Sequence, residues 1–269
     1  MAGRRDNPTH VMITGASSGI GRALALRYAA PGRLLSLIGR DADRLDAVAA
    51  ACRALGAEIA AAQIDVTDHA TLEPWIESRD AAHPVDMVIA AAGLGGNRAL
   101  AARGGENGAQ ARDLMSVNTL GVLNTVTPLQ PRMARRGAGH VVIVGSIQGG
   151  IGLPQSPVYS ASKAALKIYA DATRRLLRPQ GVTVTLVLPG FVDTPMSQSL
   201  TTPRPWLWTP ERAADRIARD VARGARISAF PWPLRLAVAL GAIAPAPVVD
   251  RILTYSLRHT GLAPDDLPR

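Results

Sequence analysis

A doubly wound parallel α/β sheet with an apolar helical extension at the C-terminus is the fold class that this sequence predicts. Three observations carry the prediction. Short β-branched runs alternate with helix-like stretches from Thr9 to Gly224, the pattern of a sheet wound on both faces. The first run passes directly into Gly15-Ala-Ser-Ser-Gly19-Ile20-Gly21 and then a helical stretch, a strand, turn and helix suited to cradling phosphate. The glycine turn, Asp65, Gly93, Ser146 and Gly190 each fall at the carboxyl end of a predicted strand, the edge where ligands bind in such sheets.

The 269 residues suit one domain, 1–230, with loop 191–210 inside it and the extension 231–269 behind it. The net charge is +9, and only Lys163 and Lys167 among 30 basic residues are lysine. The arginines are scattered among alanines without a long basic run, which reads as a solvated surface and not as a nucleic-acid face. Cys52 is the only cysteine, so no internal disulfide forms, and with no ligand cluster around it no metal is expected. Met1–Asn7 is polar, without an apolar signal core, and no uninterrupted apolar run reaches about 18 residues. A cytoplasmic protein is the expectation.

Thr9–Thr14 is apolar and β-branched and is the first predicted strand. Glycines in the turn behind it let the backbone approach a pyrophosphate, and Ser17 and Ser18 add hydroxyl donors. Gly15, Ser17, Ser18, Gly19, Ile20 and Gly21 are therefore expected to contact a dinucleotide. Arg33–Ile38 is the second strand and ends in Gly39-Arg40. A carboxylate at this place would bind the ribose 2′-hydroxyl of NAD. Arg40 stands there instead, and arginine favours the 2′-phosphate of NADP. NADP(H) is thus the preferred cofactor, NAD(H) the alternative, and Asp41 suits a helix cap.

Asp41–Leu55 is helical and stops at Gly56. Glu58–Ile64 is the third strand, and Asp65, beside Val66, either accepts from an adenine amino group or caps a helix through Thr67 and Asp68. Val85–Ala90 is the fourth strand, followed by Ala91, Ala92 and Gly93. Leu94–Gly108 reads as a Gly-rich loop with a broken helix, and a long helix carrying Asn118 and Gly121 ends near Gly137. His140–Gly145 is the fifth strand with Ser146 directly behind it, and Gly149–Pro157 is a loop. The helix that carries Tyr159 runs to about Arg178, and Val182–Leu188 is the sixth strand, closed by Pro189-Gly190. Phe191–Pro210, with Trp206 and Trp208 among prolines, reads as a mobile loop over the site. Thr209–Gly224 is a helix with Thr209 as N-cap and Pro210 at its first position. Beyond it Pro231–Val249 is apolar, and Pro245 and Pro247 divide the C-terminal region into two short helices.

Tyr159 and Lys163 lie four apart, one helical turn from each other. A phenol is a poor acid at neutral pH, with a reference pKa of about 10. A cation beside it favours the phenolate and brings proton exchange nearer pH 7. Taken together, Thr14-Gly15-x-x-x-Gly19-x-Gly21, Asn118, Ser146 and Tyr159-x-x-x-Lys163 resemble the short-chain dehydrogenase/reductase superfamily over about residues 9–224. The glycine spacing is that of its compact oxidoreductase branch, a Rossmann fold. The resemblance implies a catalytic set of Asn118, Ser146, Tyr159 and Lys163. Tyr159 would be the acid/base and Ser146 would hold the substrate oxygen. Lys163 would bind the nicotinamide ribose and shift Tyr159, and Asn118 would hold a water linking Lys163 to solvent. It also implies cofactor contacts from Asp65, Val66, Ala90, Ala92, Gly93, Pro189, Gly190, Val192 and Thr194, besides Tyr159 and Lys163 themselves.

Two features depart from the family. Ala90-Ala91-Ala92-Gly93 stands where members often have Asn-Asn-Ala-Gly, and the terminal strand with an Asp-Gly-Gly tail that builds many tetramers is not expected. The apolar C-terminus is similar to that of members acting on lipid-like ketones, some of which lie on membranes. The implied reaction is hydride transfer between a nicotinamide and a carbonyl or alcohol. The alternative is a non-catalytic dinucleotide sensor on the same fold. Ile151, Leu153, Met196, Leu200, Trp206 and Trp208 predict a substrate with a hydrophobic body, unless the tryptophans pack against the C-terminal helices. Arg204 is the loop cation that could meet a substrate carboxylate. The expected partners are that small molecule and a second copy of the chain, with no nucleic acid. Residues 231–249 meet either the domain, a partner subunit or, as a peripheral contact, a membrane.

Overall fold

A computed structural model describes residues 7–96, 106–198, 200 and 203–259. Seven strands, β1 (His10–Thr14), β2 (Leu34–Gly39), β3 (Glu58–Gln63), β4 (Met87–Ala90), β5 (Gly139–Val144), β6 (Val182–Pro189) and β7 (Ile227–Phe230), form one parallel sheet. Its order is β3-β2-β1-β4-β5-β6-β7. The chain therefore builds outward from β1, returns, and builds the other way from β4. The strand ends at β1 and β4 flank the point of reversal, where such sheets open a crevice.

The helices lie on both faces, as the strand–helix alternation requires. Helices α1 (Gly19–Tyr28) and α2 (Ala42–Ala54) pack against Val11, Ile13, Leu35 and Leu37 on one face. On the other, α3 (His69–Ala82) packs with Met12, Ile38 and Val88. Neighbouring residues of β1 thus serve opposite cores. Met12 and Ile13 are both fully buried, each worth roughly 1.5–3 kcal/mol of apolar burial.

The long helix expected to end near Gly137 is divided. It comprises α4 (Gly108–Met115), a π-helical turn Ser116–Leu120, α5 (Gly121–Val126) and α6 (Gln130–Arg136). Pro128 falls in the gap between α5 and α6, where its missing N–H and its ring interrupt the helix. Asn118 occupies the π turn, which shifts its face relative to a regular helix. Of the loop expected at 94–108, residues 97–105 lie outside the described residues. Helix α7 (Pro157–Leu177) carries Tyr159 and Lys163, and α9 (Pro210–Ala222) begins as expected with Thr209 accepting from Arg212 N.

Strand β7 corrects the expectation that the family's terminal strand is missing. Four residues, Ile-Ser-Ala-Phe, pair with β6 from Leu186 to Pro189, a run too short to show a period in the sequence. Phe230 of β7 stacks on Trp208, with ring centroids 4.7 Å apart, and Arg212 lies 4.1 Å over the other partner's ring, Trp208. Trp208 therefore belongs to the core around β7 and not to a substrate wall. Trp206 is exposed at φ 53°. The segment 191–210 is also less loop-like than expected among its described residues. It contains the short helix α8 (Pro195–Gln198), and a bridge between Val192 and Trp208 closes its base. Two further helices, α10 (Trp232–Gly241) and α11 (Ala246–His259), follow β7.

Candidate active site

The turn after β1 requires glycine for two separate reasons. Gly15 has φ +69°, and a Cβ there would lie 2.7 Å from Ala92 N at the end of β4. A Cβ on Gly21 would lie 2.2 Å from Gly15 O. The turn is thus pressed between two strand ends and its own helix. Ser18, the N-cap of α1, makes no side-chain cap bond, so the first-turn N–H groups of α1 remain available to a phosphate.

A cavity of about 1020 Å³ opens over this edge. One end is lined by Gly15, Ser17, Ser18, Gly19, Ile20 and Gly21, with Arg40, Asp41 and Arg44 beyond them. Val66, Ala92 and Gly93 line it, as do Pro189, Gly190, Val192 and Thr194. Three expected site residues stand outside that lining. Ala90 is fully buried within β4, and the lining begins one residue later at Ala91. Asp65 receives Thr67 N and Thr67 Oγ1, both at 2.8 Å, on one oxygen and lies 3.4 Å from Arg40 Nη1 with the other. Asp68, not Asp65, caps α3 by accepting from Thr71 N. Partial burial pushes Asp65 up, but the Thr67 bonds and the Arg40 charge outweigh it and hold the carboxyl below its usual range.

Asn118 is the third. Its Oδ1 accepts from Leu94 N at 2.7 Å, and its Nδ2 donates to Leu94 O at 3.0 Å and Ser162 Oγ at 3.2 Å. Both amide protons are engaged within the protein, so Asn118 holds the Leu94 backbone against α7. A water on Asn118 is left only the remaining lone pair of Oδ1.

Ser146, Tyr159 and Lys163 come together. Ser146 follows β5 and accepts from Gln148 N at 3.2 Å, capping a 3₁₀ turn Ile147–Gly150. The Ser146 side chain is near enough to the Tyr159 hydroxyl to favour its ionised form. Lys163 is buried, its Nζ 5.9 Å from the Tyr159 ring centroid and donating to Val144 O at 3.4 Å. Ile151, Leu153, Met196 and Leu200 line the other end of the cavity, joined by Leu234 and Val238 of α10. Neither Trp206 nor Trp208 is among the lining residues, and Arg204 is turned to Asp193 at 3.1 Å.

A family model described as short chain dehydrogenase matches residues 9–205. An uncharacterized oxidoreductase from Myxococcus xanthus is 35% identical over 241 residues, covering 89% of this chain and 94% of that one. The chain belongs to the short-chain dehydrogenase family. Among solved structures, a short-chain dehydrogenase from Sphingobium yanoikuyae in complex with NADPH superposes with a TM-score of 0.75 at 24% identity, covering 97% of this chain and 98% of the other. One from Mycobacterium paratuberculosis bound to NAD gives 0.73 at 26%, covering 84% and 97%. The family match makes this chain an NAD(P)-dependent oxidoreductase and sets aside the sensor alternative.

Sequence reading missed several residues of this short-chain dehydrogenase's site. Arg44 stands one helical turn after Arg40, a spacing visible in the sequence. Gln148 lines the cavity and donates to Ser160 Oγ at 3.1 Å. The walls from α10 and α11 carry no local motif. One electrostatic expectation is also reversed. Burial pushes the Tyr159 hydroxyl above the usual phenol range, opposed by the Ser146 side chain. Desolvation of the hydroxyl is the larger cause.

Burial lowers Lys163 from 10.5 to about 8. The unfolded chain keeps that proton up to the ordinary value, so between about 8 and 10.5 the unfolded state binds more protons. Stability through this group therefore rises with pH across that window, and the burial cost is fully present below it. Labelling lysine Cε with an NMR-active isotope gives two signals, one each from Lys163 and Lys167, assigned with Lys167→Arg. The Lys163 signal is expected to titrate with a midpoint about 8 in the unliganded protein. A midpoint at the ordinary lysine value would show that the amine is hydrated.

Proposed function

We propose that this short-chain dehydrogenase is an NADP(H)-dependent enzyme interconverting a carbonyl and an alcohol on an uncharged, hydrophobic substrate, with Tyr159 as acid/base. The observation that carries the reading is the cavity itself. Its lining joins Ser146 and Tyr159 with a glycine turn and two arginines from the β1 and β2 ends and with apolar side chains from 151–153, 196–200 and α10.

The residues present fit a nicotinamide dinucleotide. The Gly15 and Gly21 positions leave no room for a Cβ, the α1 N-terminus lacks a side-chain cap, and two arginines stand at the far end. When bound, that cofactor supplies or accepts the hydride. Ser146 holds the substrate oxygen. Tyr159 gives that oxygen its proton in reduction and recovers it in oxidation. Lys163, a cation at neutral pH, stabilises the phenolate left by proton transfer in surroundings of low dielectric. The apolar walls exclude water from the exchange.

Arg40 and Arg44 support NADP(H) over NAD(H). Asp41, the carboxylate between them, does not oppose a 2′-phosphate strongly. Its Oδ1 accepts from Arg44 N at 3.0 Å and its Oδ2 pairs with Arg44 Nε at 3.0 Å. The relative from Mycobacterium paratuberculosis holds NAD; here the two arginines weigh the other way. The uncharged substrate follows from the wall chemistry. Among the described lining residues the cations are Arg40, Arg44 and Lys163, and none belongs to the apolar end.

The apolar face around the mouth favours a peripheral membrane contact. Leu240 and Ile252 line the cavity and are also more than half exposed, at 55% and 62%. Trp232 and Ile243, at 74% and 81% exposure, belong to the same C-terminal segment, and exposed apolar side chains of this size suit a membrane or partner contact. Vesicles of neutral phospholipid should co-sediment the protein, and Trp232→Ser with Ile243→Ser should release it. Failure of the wild type to sediment leaves the face to a second copy or another protein.

Turnover is tested by NADPH oxidation against a panel of ketones, aldehydes and sterols. Tyr159→Phe keeps the ring and its packing and removes only the proton donor, so kcat should fall at least ~100-fold while NADPH still binds. Near-normal turnover in that variant would falsify the assigned chemistry.

Cofactor choice has its own test. Arg40→Asp replaces attraction to a 2′-phosphate by repulsion. It should weaken NADPH by roughly 10- to 100-fold, the worth of one charged hydrogen-bonded pair, with NADH little changed. Arg44→Ala should weaken NADPH further. Titrations in which both variants bind NADPH as the wild type does would remove the preference.

A further inference from the structure

We infer that Glu106 is a positioning residue for Tyr159, closing the N-terminus of α7 with its carboxylate from a distant part of the chain. The inference rests on the reading of Tyr159 as acid/base. Helix α7 opens without a local cap. Pro157 has no N–H, and the N-cap Ser156 makes no side-chain cap bond. The Ser156 hydroxyl instead accepts from Gln148 Nε2. Two first-turn donors, Val158 N and Tyr159 N, therefore lack partners within the helix. Both go to Glu106. Val158 N donates to its Oε2 at 3.1 Å and Tyr159 N to its Oε1 at 3.2 Å. The next amide, Ser160 N, returns to Ser156 O at 3.0 Å and begins the ordinary ladder.

The carboxylate is well placed to hold this geometry. Glu106 immediately precedes Asn107, the N-cap of α4, which forms a reciprocal capping box with Gln110. Gly96 fits into the same corner. A Cβ there would lie 2.8 Å from Ser156 Cβ, 3.1 Å from Tyr159 Cβ and 3.4 Å from Glu106 Oε1. A negative group at this end also complements the helix dipole.

The consequence is unequal along α7. Tyr159 is in the first turn, where helices fray, and its own amide is one of the two that Glu106 receives. Lys163 is a turn deeper. The 3₁₀ turn at Gly149 lies on its backbone, and Val144 O receives its amine. Loss of Glu106 should therefore loosen the Tyr159 hydroxyl from Ser146 while leaving Lys163 in place. Displacements of about 1 Å in a reacting group can cost roughly 100-fold in rate.

The test compares Glu106→Ala and Glu106→Gln in the full chain, using methyl nonyl ketone or whichever panel ketone the wild type reduces fastest. Glu106→Ala should lower kcat by at least ~10-fold. Its NADPH dissociation constant and the Lys163 titration midpoint should stay as in the wild type. Glu106→Gln keeps one acceptor oxygen and should fall between the two. In a Tyr159→Phe background, Glu106→Ala should cause no further loss, because its effect passes through the hydroxyl. Wild-type kcat in Glu106→Ala, while Tyr159→Phe is inactive, overturns the inference. So does an equal loss on both backgrounds, or a kcat order other than wild type, Gln, Ala. Turnover surviving in Tyr159→Phe alone would instead defeat the acid/base reading. If Glu106→Ala does not fold, Glu106→Gln carries the same comparisons.

Discussion

One buried amine organises the reactive end of this molecule. Lys163 is 4% exposed, and a charge taken from water is costly unless the protein replaces its solvation. The replacement is sparse, chiefly Val144 O at 3.4 Å, and the amine accordingly holds its proton less tightly, to about 8. The surroundings are cut to make room for it. A Cβ on Gly93 would stand 3.4 Å from Nζ, and one on Gly149 would stand 2.7 Å from the Lys163 carbonyl carbon. Strand β5 must end where its last carbonyl faces the amine, and α7 must pass directly beneath the Gly149 turn. Ser146 and Tyr159 inherit their places from these two requirements.

The same cavity separates its charges by distance. Arg40 and Arg44 follow β2, the glycine turn follows β1, and the one lysine among the lining residues stands with Ser146 and Tyr159. A long, anionic cofactor is matched by that distribution, and the far wall is left apolar. The net charge of +9 is therefore poor guidance to function by itself. Several arginines are instead engaged in ion pairs away from the cavity, such as Arg132 and Arg136 with Asp80 or Arg175 with Asp171. Placement at a strand end, not abundance, is what gives Arg40 a meaning.

The strand ends were legible in the sequence because each is marked locally. Gly15, Ser146 and Tyr159-x-x-x-Lys163 sit at fixed distances from β-branched runs, and parallel pairing brings those runs to one edge. What the sequence left open lacks such marks. Strand β7 is four residues long, and its place is decided by β6 and by Trp208 stacking on Phe230. The partners of Asn118 depend on a π turn that redirects its side chain. The bonds from Glu106 to α7 join residues 52 and 53 apart. The phenol's acidity was misjudged for a related reason. Spacing places a cation one turn from a tyrosine, but it says nothing of the burial that dominates both groups.

The C-terminal helices stand apart from these constraints. No residue of α10 is buried, yet Leu234 and Val238 form part of the cavity wall. The helix rests on glycines. A Cβ on Gly150 would lie 2.5 Å from Val238 Cγ1, and one on Gly190 would lie 2.8 Å from Leu234 Cδ1. A third seat is reversed, with α10 supplying Gly241, where a Cβ would lie 2.8 Å from Ile151 Cδ1. Contacts of this kind depend on shape and bury little area, so α10 adds less to global stability than the core helices do. The strand ends with their buried charge and the α10 wall are in this way parts of the fold with different energetic weight, and the second sits on the first through glycine.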